Sequence, residues 1–142
     1  MKKLAVFWSF VLVACLGAWT HAAGGEAPAT EAAVAAAKTW LALVDEGKVP
    51  ESWRQAAPYF QKAISEEQWL QSMKAFREPL GRVLSRKLAT AEVATSLPGA
   101  PDGHYVVIRF ETSFAQKKNA VETVTSRRCE DGAWRVSGYF IQ

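Results

Sequence analysis

The sequence is poor in the side chains that carry metal and redox chemistry. Its 142 residues include two cysteines, Cys15 and Cys129, and two histidines, His21 and His104. Cys15 and His21 fall in an N-terminal segment that reads as a leader. The mature chain then keeps Cys129 alone, which has no partner for an internal disulfide. A redox role would need a second cysteine or a thiolate-stabilising site, so Cys129 is read as an incidental strand residue. His104 has no Cys, Asp or Glu at ligand spacing, so no metal is expected. No Ser or Thr stands in the elbow motif a catalytic histidine would serve. There is no glycine-rich phosphate loop, no internal repeat and no long low-complexity linker, and no cofactor is expected. Excess charge is missing as well. Without Lys2 and Lys3 the net charge falls from +3 to +1, which gives no basis for nucleic-acid binding.

What is present begins with the leader, residues 1–23. Lys2 and Lys3 precede an apolar run from Leu4 to Leu16 that only Ser9 interrupts. Thr20 and Ala22 supply the small-x-small pattern for cleavage after Ala22 or Ala23. The run is shorter than the roughly 20 apolar residues of a membrane span. The expected location is therefore periplasmic or secreted. The alternative is a lipoprotein: Leu12-Val13-Ala14-Cys15 resembles a lipobox, which would anchor the chain to a membrane through Cys15. Continuation of the apolar run through Trp19 argues for plain cleavage.

The remainder, about 120 residues, suffices for one domain with one core. Residues 24–30 read as a short tether. Val34, Ala37, Leu41 and Val44 recur at helical spacing and predict a first helix over 31–46, stopped by Gly47. Lys48 to Phe60 predicts a turn and a short second helix that Pro58 bends or ends. Ser65-Glu66-Glu67-Gln68 is a capping box opening a third helix over 66–77, with Trp69, Leu70, Met73 and Phe76 on its buried face. Strand texture follows from Arg82 to Leu97. From His104 to Ala115, Val106, Ile108, Phe110, Thr112 and Phe114 face one way; Tyr105, Val107, Arg109, Glu111 and Ser113 face the other. A polar turn over Gln116–Asn119, a strand over 120–130, a tight Asp131-Gly132 hairpin and a strand over 134–141 complete the chain. The expected class is α+β: three N-terminal helices over residues 31–142 packed on a curved antiparallel sheet of about four strands.

Several stretches carry a family resemblance. They are Trp40-Leu41-Ala42-Leu43-Val44-Asp45-Glu46-Gly47, Ser52-Trp53-Arg54-Gln55-Ala56-Ala57, Pro79-Leu80-Gly81-Arg82 with Ser85-Arg86, Leu97 through Tyr105, Val121-Glu122-Thr123-Val124 and Asp131 through Tyr139. Together they resemble the bacterial "domain of unknown function 4019" family. The order of elements also resembles the cone-shaped nuclear transport factor two-like (cystatin-like) superfamily. That superfamily includes ketosteroid isomerases, dehydratases and many non-enzymatic binding or dimerising modules. The family resemblance implies no assigned activity and carries over no functional residue.

A cone of this kind leaves a pocket between sheet and helices, the natural place for a ligand. Glu122 lies in a strand with Ala120 and Val124 as its same-face neighbours, and a carboxylate there is either paired with a cation or functional. Arg109 and Arg135, on neighbouring strands, are its expected partners. Arg77, Arg82 and Arg86 gather where the third helix ends, where cations suit the helix dipole or could form an anion fork. Trp40, Trp53, Tyr59, Trp69 and Trp134, with Phe60 and Tyr139, either line a ligand pocket or fill the core. Two functions fit. The first is a non-enzymatic module that binds a small ligand or protein partner, or forms a homodimer through the exposed sheet face. The second is an isomerase- or dehydratase-like enzyme with Glu122 as base.

Overall fold

The computed structural model describes residues 25–142. The leader expected over 1–23, with Cys15, lies outside the described residues. Helices come first and strands follow, the α+β order expected. The helices are α1 (Glu26–Asp45), α2 (Val49–Gln55), α3 (Pro58–Ala63) and α4 (Glu66–Ser72). The strands are β1 (Val83–Ala94), β2 (Tyr105–Phe114), β3 (Lys117–Arg128) and β4 (Trp134–Ile141). Among the described residues no helix is long and apolar enough to cross a membrane.

α1 begins at Glu26, so most of the expected tether is helix. The alanines of this stretch favour helix, Glu26 suits the positive end of the dipole, and Pro28 stands in the first turn, where it removes no intrahelical bond. The buried stripe is Ala33, Ala37, Trp40, Leu41 and Val44, and the helix touches all four strands. The turn and short helix expected over 48–60 are two helices that part before Pro58. Ala57 precedes Pro58 and is extended, with ψ 148°, because the proline ring disfavours the helical region there. Pro58 then opens α3 in the first-turn position that suits it. The Ala57 N–H, freed from helix, donates to Val136 O at 2.7 Å and covers part of the outer edge of β4.

The Ser65–Gln68 capping box forms with both hydrogen bonds, and α4 follows. It widens into a π-helical turn over Met73–Arg77, where the Glu78 N–H reaches back to Met73 O, and a 3₁₀ turn over Glu78–Leu80 ends the helical half. The wide turn changes which side chain points inward. Arg77 rather than Phe76 returns to the inner face below Met73: Arg77 is buried and Phe76 is 72% exposed.

The strands form an antiparallel meander in the order β1-β2-β3-β4. Register shifts near Leu84 and Ala89 in β1, at the β2–β3 turn and near Ser137 in β4 add local twist and bend. β2 alternates as expected, with Val106, Ile108, Phe110, Thr112 and Phe114 buried on the inner face. Two turns differ from expectation. β3 starts at Lys117, paired with Phe114, so the polar turn shrinks to Ala115 and Gln116. Those two residues are held from outside, their N–H groups donating to Arg82 O and Leu80 O at 2.9 Å each. At the last hairpin only Gly132, φ 82°, has positive φ. Cys129 N–H bonds Ala133 O across a three-residue loop, a turn that closes through one left-handed glycine.

Candidate functional site

The inner face of β3 carries Ala120, Glu122, Val124 and Ser126, all buried. Glu122 has no exposed surface, and three side chains hold its carboxylate. Arg86 Nε (2.7 Å) and the Thr112 hydroxyl (2.7 Å) donate to Oε1, and the Tyr139 hydroxyl (2.5 Å) donates to Oε2. Arg86 spends its two remaining nitrogens on Asp45, at 2.7 and 3.1 Å. Asp45 also accepts from Arg77 at 3.2 Å. The Arg77 guanidinium donates to Gly81 O at 2.7 Å and lies 4.6 Å from the Phe114 ring centre.

Two cations and two carboxylates therefore balance, with Glu122 and Arg77 buried and Asp45 at the solvent-facing end. Burial works against the charge on Arg86, but hydrogen bonds to Asp45 and Glu122 outweigh it, and its pKa is raised. Burial, reinforced by the charge of Glu122, pushes the Tyr139 phenol up as well. Asp45 ends α1, where a carboxylate opposes the helix dipole. Arg77 and Arg86 compensate for that placement while tying the helix to β1 and the π turn.

The expected partners of Glu122 are thus corrected. Arg109 points to the outer face of β2 and pairs with Glu92 at 3.4 Å, both exposed. Arg135 pairs with Asp131 four residues before it, at 2.7 and 2.9 Å. Of the arginines expected around the end of the third helix, Arg77 and Arg86 converge on Asp45, and Arg82 stays exposed. His104 is exposed, and Cys129 is half-buried. No group of three or more His, Cys, Asp or Glu among the described residues is placed to hold a metal.

The aromatic residues divide between core and surface rather than lining one pocket. Trp40 and Trp69, each 3% exposed, have ring centres 5.8 Å apart. Phe60 meets Trp69 edge-on at 5.0 Å, and Tyr139 meets Trp40 at 5.3 Å. Ser52 fastens both indoles: its carbonyl accepts from Trp40 Nε1 at 2.8 Å, its hydroxyl from Trp69 Nε1 at 3.0 Å. Trp53 bonds Ile64 O at 2.8 Å. Trp134 packs on the core from its edge. Tyr59 turns away and donates to Gly99 O at 2.8 Å.

One opening lies beside this stack, between α3, α4, the π turn and β4. It is a groove of about 690 Å³ walled by Phe60, Ile64, Trp69, Met73, Leu80 and Ile141. Phe76 and Phe140, the latter 52% exposed, also line it. Its one charged lining residue is Lys117. Glu122 and Arg86 are not part of its lining; Tyr139 is the residue common to groove and network. Apart from Trp69, Phe60 and Tyr139, these walls were not singled out from sequence as a ligand site. The one available signal was Met73 and Phe76 on the third helix.

The profile of a family described as Protein of unknown function (DUF4019) matches residues 36–139. The chain belongs to this family. No curated protein matches the chain. The DUF4019 match runs from within α1 to Tyr139, so it takes in every member of the network, from Asp45 through Arg77, Arg86, Thr112 and Glu122 to Tyr139.

Proposed function

We propose that the protein is an exported, non-enzymatic binding module whose apolar groove between α3–α4 and β4 takes a small apolar ligand. The observation that carries this reading is the groove itself. Its volume of about 690 Å³ falls within the roughly 300–1,000 Å³ of ligand pockets. Its walls are aromatic and aliphatic, and Phe76 and Phe140 leave apolar surface in water that a ligand would cover. Helices over a twisted antiparallel sheet also suit the cystatin-like superfamily, which holds both binding modules and enzymes. The geometry of Glu122 supports the first of these. An isomerase or dehydratase needs a base within hydrogen-bond reach of substrate, and this carboxylate is enclosed and occupied by Arg86, Thr112 and Tyr139.

The test is titration with the uncharged fluorescent probe N-phenyl-1-naphthylamine. Saturable binding at one site is expected, abolished in the Phe76→Asp, Phe140→Asp double variant while its thermal midpoint stays close to wild type. Both positions are exposed, so the variant should fold. Binding that survives the double variant overturns the proposal, as does failure to saturate. Export is tested by the mass of the protein recovered from its native host. A start at Ala23 or Gly24 supports a cleaved leader; an acylated start at Cys15 replaces it with a membrane-anchored form.

A further inference from the structure

We infer that the hollow at the opposite end of β4, beside the β3–β4 hairpin, is a second binding site, for a small organic anion: a carboxylate or phosphate on a compact apolar body. The argument starts from Arg127. Its guanidinium lies 5.9 Å from the Tyr59 ring centre and 5.6 Å from that of Tyr105. Among the described residues its side chain makes no ion pair, although its Nε, like that of Arg77, is enclosed without a hydrogen-bond partner. Arginine presents a rigid fork matched to carboxylate and phosphate, and this one has no carboxylate of its own. The arginines of the core network have carboxylate partners; Arg127 is held in place by aromatic rings with none.

The surroundings select for negative charge. Arg127 lines a hollow of about 550 Å³ together with Lys62, Arg128 and Arg135. Arg135 is neutralised by Asp131, which leaves Lys62, Arg127 and Arg128 against Glu130 alone, a net charge of +2. The rest of the wall includes Ala57, Pro58, Tyr59 and Pro101. These accept an apolar body rather than a bare, fully hydrated ion. The half-buried Cys129 thiol lies in the same wall and offers a reporter of occupancy.

The experiment uses the full chain and benzoate as probe, with benzyl alcohol as its neutral counterpart and inorganic phosphate as a bare anion. Binding is read from amide resonances of residues 57, 59–62 and 127–135, and from protection of Cys129 against iodoacetamide, located by peptide mapping. Saturable benzoate binding is expected, weakened by added salt, with benzyl alcohol and phosphate both weaker. Arg127→Gln should raise the dissociation constant about tenfold or more. Arg127 also packs on two tyrosines, so Lys62→Gln, at an exposed position, provides a variant that keeps the fold; it should weaken benzoate several-fold. No saturable shift, equal binding of benzyl alcohol, or benzoate affinity unchanged in Lys62→Gln and in folded Arg127→Gln would each overturn the site. The apolar groove is lined by different residues, so the naphthylamine titration succeeds or fails independently of this one.

Discussion

At the scale of single residues, the decisive side chain is Glu122, and what surrounds it says more than its own identity. Replacing it with Gln leaves Arg86 paired only with Asp45 and removes a charge from a place with no exposed surface. Breaking a buried pair in this way costs about 3 kcal/mol. Arg109→Ala and Arg135→Ala remove exposed pairs and should cost about 0.5 kcal/mol or less. Urea unfolding of the three variants separates the two classes, and a mild Glu122→Gln would remove the network's structural role. Alternation along β3 was enough to place a carboxylate on the inner face. The same alternation put Arg109 on the outer face of β2, so the sequence already argued against that partner. Arg86 was harder to read, because β1 carries bulges near Leu84 and Ala89 that break its period. Asp45 escaped notice because a carboxylate at a helix C-terminus reads as a slightly unfavourable residue until its two arginines are located.

At the scale of elements, local chemistry was legible wherever a side chain caps or breaks its own segment. The Ser65 box, the Pro58 break and the β4 boundaries all follow from nearest neighbours along the chain. The π turn does not, since the sequence Met73-Lys74-Ala75-Phe76-Arg77 reads as ordinary helix. Burial of Arg77 over Phe114 and its bond to Gly81 hold the wider turn in place. Gly81 is the joint between the helical half and the sheet. It has φ 76°, and a Cβ there would stand 3.2 Å from that of Ala115. Gly81→Ala therefore combines left-handed strain with a close contact and should cost about 2 kcal/mol. Thermal unfolding measures it, and a near-neutral variant would show that the joint has slack.

At the scale of the whole molecule, the network sets how stability responds to pH. Burial first, and the Glu122 charge second, raise the Tyr139 phenol above its usual value. An unfolded phenol titrates near pH 10, so above that pH the unfolded chain releases a proton that the native one keeps. Stability from this group is complete below about pH 10 and declines as pH rises beyond it. Tyr139→Phe should flatten that decline in urea midpoints measured from pH 8 to 11; an unchanged slope would dissociate Tyr139 from it. Fold class, strand order and the helical half were legible at this scale, because periodicity and turn residues act locally. The groove was not. It exists because Phe76 turns outward and α3 starts afresh at Pro58, and both depend on packing between segments distant along the chain.

Asp45 and Arg86 stand 41 positions apart, and Arg86 and Glu122 are separated by 36. Their meeting requires α1, β1 and β3 to be in their final places together, which closes long loops before any reward is collected. Contacts that close only after the transition state slow unfolding rather than speed folding, so Glu122→Gln is expected to raise the unfolding rate more than it lowers the folding rate.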